Sequence, residues 1–400
     1  MLLPDEFLLP ERHNLLSVLR QAGVAHGLRP ERYDKAKLFI TLINWFGFSR
    51  FYSNEEHNPW IQLKSTFLRR LMGGAYPVLI RDMLESAGVI EVDHSYQQGR
   101  RSKSYRLSER FAGRRLVMPP MPHGMRERIR QLNAEFERSN PLNEIQQAIR
   151  DNIQRFSLDN SVSLYLMGFD GHRFSHREIC RCFIEERPSF FKVSNRSGRC
   201  FHVLTSMPKQ MKRYLRIDNE LAVEIDIPSA QPLLAATLYD VRDVEHVVER
   251  RHYLSFVASG FYESLRDAAR VDWPRDVVKR HCYSTIFFAS DWPVGDLWNA
   301  FRAQFPILAR LIATRIRNHT GSEGGNSGLA IYLQSMESRI VVDTVAAQLY
   351  RDGIVFATVH DSIICKASDG EWVLELMSNS VRQALGECVE LPWRIEELHV

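Results

Sequence analysis

The chain contains no apolar run long enough to span a bilayer, and its first residues lack the basic-then-apolar order of a secretory signal. Cysteine is sparse: six thiols spread over 400 residues form no compact framework. That spread argues against a disulfide-stapled secreted domain, and reduced thiols in a cytoplasmic setting are expected. Neither sign of charge dominates, with 52 Lys and Arg against 48 Asp and Glu. The net charge of +4 permits phosphate contacts without establishing a nucleic-acid partner. No internal repeat or low-complexity tract is present. What is there is 44% hydrophobic residues, ample for sizeable cores, on a length that predicts two or three domains of a soluble globular protein.

The stretch around which the chain is organised is Val359-His360-Asp361-Ser362-Ile363-Ile364. Gly353 ends a helical run, and Ile354 to Val359 is rich enough in β-branched and aromatic residues to favour a strand, as are Ile363 and Ile364. His360 and Asp361 then cap a hairpin, with a bare carboxylate at its tip. An aspartate is also simply a good turn residue, because its side chain satisfies local backbone donors. A functional reading therefore requires a second carboxylate.

Leu221 to Ile227 offers one: Val223, Ile225 and Ile227 alternate with Glu224 and Asp226, giving one apolar face and one acidic face. Pro228 and Ser229 break the strand, and Gln231 to Ala236 opens a helical pattern. Two strand-end aspartates, Asp226 and Asp361, could hold a pair of Mg²⁺ ions, which bridge phosphate oxygens and stabilise both attacking and leaving oxygens. Phosphoryl transfer is the reaction class this suggests. Between them, Arg275, Lys279, Tyr283 and Phe287 recur every four residues after Pro274, forming one helical stripe of two cations and two rings. Such a stripe can grip a triphosphate and stack a base; it can equally be an ordinary amphipathic face whose basic stems lie along the edge of a core.

These three pieces, in this order, resemble motifs A, B and C of family A DNA polymerases and the related single-subunit phage and mitochondrial RNA polymerases, over roughly residues 196 to 400. The resemblance implies that Asp226 and Asp361 hold two Mg²⁺ ions, for which Mn²⁺ can substitute. It further implies that the carbonyl of Ile227 is a ligand and that His360 positions the primer end. Arg275 and Lys279 would then bind the incoming triphosphate, with Tyr283 and Phe287 against its sugar and base. Gln334, on a helix before motif C, and Arg199, in Arg196-Ser197-Gly198-Arg199, resemble contacts to the template and primer duplex.

Two departures bear on the sugar. Ser362 stands where the DNA polymerases usually carry glutamate, as in the single-subunit RNA polymerases. Gln231 stands five positions after the motif A aspartate, where a bulky glutamate excludes the ribose hydroxyl in DNA polymerases and glycine stands in RNA polymerases. A glutamine can act as such a gate, and Phe287 lacks the hydroxyl with which the RNA polymerases sense ribose. DNA synthesis is favoured.

Upstream, a helix around Ser65 to Met72, a turn at Gly73-Gly74 and a helix from about Tyr76 to Ala87 precede two short strands, Val89 to Val92 and Ser104 to Leu107. That is the order of a winged helix-turn-helix. Arg81, Arg100, Arg101 and Lys103 are the charges expected at DNA, although winged helices also mediate protein contacts. Pro119-Pro120-Met121-Pro122 reads as a linker, with a domain boundary near residue 115. Arg126 to Phe136 and Leu142 to Phe156 then read as a thumb-like helical pair. His172, His176, Cys180 and Cys182 cluster in sequence, but their spacing fits no common zinc finger, so packing and surface roles are expected of them. Cys282 and Cys365 are expected to be small buried thiols.

The expected fold is α+β: a winged helix over 1–115, a thumb-like region over 116–200, an antiparallel palm from 201–240 and 331–400, and small helical fingers over 241–330. The expected activity is template-directed nucleotide transfer by a DNA polymerase without proofreading. It would act on a DNA template and primer with nucleoside triphosphates, without a membrane partner, in the replication of a mobile element. The alternatives are an RNA polymerase or primase on the same palm, and a DNA-binding initiator or regulator whose palm is catalytically silent.

Overall fold

The computed structural model describes residues 3–11, 14–24, 29–48, 58–95, 102–112, 114, 116–169, 177, 180–181, 184, 191–289, 292–317, 328–386 and 390–398. It is a mixed α+β structure whose described strand pairs are antiparallel. The chain divides into two compact units, one formed by 1–143, 156–192 and 201–218, the other by 144–155, 193–200 and 219–400.

In the first unit the helices Ser65–Met72 and Tyr76–Ser86 are joined across Gly73 and Gly74, both at positive φ, a conformation that glycine adopts without a Cβ penalty. A hairpin follows, with Ile90 opposite Leu107 and Val92 opposite Tyr105, and the short strand Ile61–Gln62 pairs on its far side. Ile80, Leu84, Leu68 and Leu107 are buried in one core with Phe39, whose ring meets Tyr105 edge-on at 5.1 Å.

The proline run is packed into this unit. Proline lacks a donor but keeps its carbonyl, so Pro119 accepts from the Phe7 N–H at 3.0 Å, and Met121 is buried. The helix His123–Ser139 sends Ile129 into the same core. Consequently the boundary expected near 115 lies inside the first unit, and the two helices read as a thumb-like pair fall in different units.

The second unit is built on the strand Glu220–Asp226, flanked by Ser362–Lys366 on one side and Ile395–Glu397 on the other, with Phe356–Val359 beyond. The helix Gly370–Leu385 packs on this sheet. A group of helices carries an aromatic core in which Tyr253, Phe261, Phe301 and Phe305 are buried, Tyr253 lying 5.0 Å from Phe305. The Tyr253 hydroxyl donates to Pro232 O at 2.6 Å, and buried Arg250 donates to Ala236 O at 3.2 Å. Those two bonds tie the segment that follows the central strand to the helices. No helix among the described residues is long and apolar enough to cross a membrane.

Candidate active site

Both aspartates stand where two adjacent strands end. Along Glu220–Asp226 the four residues from Ala222 to Ile225 are all buried, and Asp226 is exposed at the strand's end. Across the pair Asp226 faces Ser362, and the Ile227 N–H donates to Asp361 O at 3.0 Å, so the two carboxylate-bearing residues are held side by side by backbone. The hairpin tip has φ +56° at His360 and no positive φ at Asp361, the pattern of a two-residue type II′ turn. Its first strand starts at Phe356 rather than Ile354. Gly353, at φ +70°, ends the preceding helix, and the Ile354 N–H is used to bond Leu349 O at 3.0 Å in closing it.

Glu224, predicted to share the acidic face, is buried instead, with Ser362 Oγ donating to its Oε1 at 2.6 Å. The hydroxyl at 362 thus serves an internal acid, and a glutamate there would set two carboxylates against each other.

Charge converges on Asp361. Burial raises its carboxyl, the neighbouring Glu337 raises it further, and Arg199 and Lys279 pull it back, leaving it pushed up to about 7. Tyr283 belongs to the same environment: burial and then the Asp361 charge push its phenol up to about 12. Lys279 lies 5.8 Å from the Tyr283 ring centroid.

The Arg275–Cys282 helix continues into a π turn over Tyr283–Phe287, in which the Phe288 N–H bonds Tyr283 O at 2.7 Å. That wider turn changes the angular step and breaks the expected stripe. Lys279 and Tyr283 stay with Asp361, whereas Phe287 turns fully into the aromatic core, 5.8 Å from Phe261, and is closed to a base. Arg275 is exposed and paired with Glu263 at 2.6 Å.

Arg199 is placed by a closed turn. The Ser194 N–H bonds Arg199 O at 2.9 Å and the Gly198 N–H bonds Ser194 O at 2.8 Å, with Gly198 at φ +73°. A Cβ on Gly198 would lie 2.9 Å from Ser338 Oγ. Gly198→Ala should therefore cost about 1–2 kcal/mol from the left-handed backbone alone, with the clash added. Adding Ser338→Ala recovers only the clash, which thermal melts of the two variants check.

No family model matches the chain, and no curated protein matches it. The site accordingly stands on its own geometry.

Among the described residues no group of three or more His, Cys, Asp or Glu side chains could hold a metal. What the site does offer is two carboxylates on neighbouring strand ends beside the backbone of Ile227. Such a set suits Mg²⁺, which is commonly bound through one or two carboxylates while water and substrate phosphates complete its shell, and does not suit a cation that needs an all-protein cage.

Gln231 is buried and donates from Nε2 to Glu337 Oε2 at 2.7 Å, and Arg199 Nη2 reaches the same oxygen at 2.5 Å. Glu337 carries no motif; what marks it in the sequence is an acid on the apolar side of the helix Gly328–Ser338. Gln334, half-buried, sits three residues earlier on that helix.

In the first unit Arg81 is largely covered and lies against Asp82, with Nε to Oδ1 at 2.7 Å. Lys103 Nζ lies 3.3 Å from His94 Nδ1. Arg100 and Arg101 lie outside the described residues, as do His172, His176 and Cys182. Cys180, Cys282 and Cys365 are buried and outside any disulfide.

Proposed function

We propose that this chain is a template-directed nucleotidyltransferase of the family A type, making DNA with two Mg²⁺ ions, and that the helix-turn-helix and hairpin of its first unit form a winged helix that binds DNA. The observation that carries this reading is the pairing of Asp226 and Asp361 at adjacent strand ends, with Lys279 and Arg199 close enough to act on the Asp361 carboxyl. Two acids beside two cations suit a substrate that arrives as a metal-complexed polyphosphate.

Asp226, Asp361 and the Ile227 carbonyl would hold the metals, which when bound supply positive charge to the attacking and leaving oxygens. Lys279 neutralises phosphate charge. Tyr283, beside Lys279, would pack against the nucleotide, and Gln231, bonded to Glu337, would bear on its sugar. Phe287 supports this arrangement from within the core. His360, one residue from Asp361, faces the primer end. Because Asp361 is held near a neutral-range pKa, it gives up its proton readily when a cation replaces it.

The deciding experiment is primer extension with purified protein, Mg²⁺ and a labelled template, run separately with deoxynucleotides and ribonucleotides, with and without primer. Primer-dependent deoxynucleotide extension is expected. Ribonucleotide products would make the enzyme an RNA polymerase or primase on the same site, and no product under any condition would leave a DNA-binding protein with a silent centre.

A further inference from the structure

Glu337 is fully buried, and Gln231 is 3% exposed. Two donors, Arg199 Nη2 and Gln231 Nε2, converge on one Glu337 oxygen, while Glu337 Oε1, Gln231 Oε1 and Arg199 Nε are buried without a partner among the described residues. Burying an ion pair that leaves polar atoms unsatisfied is a poor way to stabilise a core, since apolar side chains of similar volume generally do as well or better. The arrangement does fix geometry. A carboxylate can only accept, so it compels Gln231 to turn its NH₂ inward and its carbonyl away, and a glutamine whose amide could otherwise present either end is left with one. The same carboxylate holds the Arg199 guanidinium, whose backbone is already set by the turn at Gly198.

We infer that Glu337 is a positioning residue that locks the orientation of the Gln231 amide and the place of Arg199, and through Gln231 sets which sugar the site accepts. This rests on the proposed polymerase reading, in which Gln231 meets the sugar of the incoming nucleotide. Gln231 is itself buried in the free chain, so what Glu337 fixes is which end of its amide, the carbonyl, is turned toward a sugar that packs against it. Glu337 does not itself touch substrate; it acts through the two residues it holds.

The test is kcat/KM for a deoxynucleotide and for the matching ribonucleotide on one primed template, in wild type, Glu337→Gln, Gln231→Ala and the double variant. Glu337→Gln keeps the shape but loses the charge and can offer its own NH₂ to Gln231. The ratio of the two sugars should move toward one by about tenfold, the scale of a lost charge-assisted hydrogen bond. Added to Gln231→Ala, the change should have little further effect on that ratio, because both act through the same group. A side chain that only supports the fold would lower both sugars by the same factor.

A folded Glu337→Gln protein with an unchanged ratio, or a wild-type ratio already near one, overturns the inference and leaves the polymerase reading intact. A wild type that incorporates neither sugar overturns the reading and the inference with it. Should thermal melts show Glu337→Gln to be unfolded, Glu337→Met with Arg199→Met removes both charges together and the ratio is read there, with the same outcomes.

Discussion

An Asp361→Asn chain is expected to lose the proposed nucleotide incorporation by about 10³-fold or more, yet to melt above wild type at slightly alkaline pH. On the proposed reading the activity loss follows from removing one of the two carboxylates that would hold the metals: several kcal/mol of charge stabilisation corresponds to about three decades of rate. The stability gain follows from linkage. The Asp361 carboxyl is raised from 3.8 to about 7 in the folded chain, so the folded state binds its proton more tightly than the unfolded state does. Stability from this group is fully present below about pH 4 and is lost as the pH rises through about 7. Asparagine has no proton to lose, so the variant's advantage is absent in acid and largest above about pH 7. Because Asp361 is half-buried and its charge therefore partly screened by solvent, about 2 kcal/mol is a fair scale, or several degrees in Tm. Melts of both proteins across that pH range check the sign. Mg²⁺ should raise the wild-type Tm above about pH 7 and leave that of Asp361→Asn unmoved, since a ligand stabilises only the state that binds it.

If Lys279 binds phosphate as proposed, Lys279→Met should lower kcat/KM by about 10²-fold, the usual scale for removing one preorganised charge from a phosphate-binding site. It also removes one of the cations that hold the Asp361 carboxyl down, so that carboxyl rises further and the acidic limb of the pH–rate profile moves to higher pH. A lysine that merely covered a core edge would produce neither the shift nor a loss concentrated in nucleotide binding. Arg275→Met should do much less, because Arg275 is exposed and already engaged with Glu263, a surface pair of small energetic weight. Steady-state kinetics of the two variants over pH separates the two cations that their spacing alone makes look equivalent.

The parts of the site that were legible in the sequence are those set by local rules. Asp226 and Asp361 are placed at strand ends by alternation and turn chemistry, which act within a few residues. Lys279 and Tyr283 are placed on one helical face by a four-residue repeat. Phe287 obeys the same repeat and leaves the site, since the π turn after Cys282 re-aims it and the aromatic core takes it up. Glu224 follows the same alternation as Asp226, yet it is internal and bonded to Ser362. In both cases a neighbour distant in sequence outweighed the local period.

The sequence by itself determined the antiparallel hairpin with Asp361 at its tip, the strand ending at Asp226, the helix opening after Pro274, and the helix-turn-helix and hairpin near the N-terminus. Each depends on hydrophobic period, proline, glycine or cap residues acting over one or two turns. Only the tertiary structure decided that the proline run packs into the first unit, that Glu224 is covered, and that Glu337 unites Arg199 and Gln231. The last of these joins residues separated by 138 and 106 positions along the chain. No periodicity records such a meeting, because it is set by how buried faces close on one another and by the need of a buried charge for a partner, wherever along the chain that partner lies.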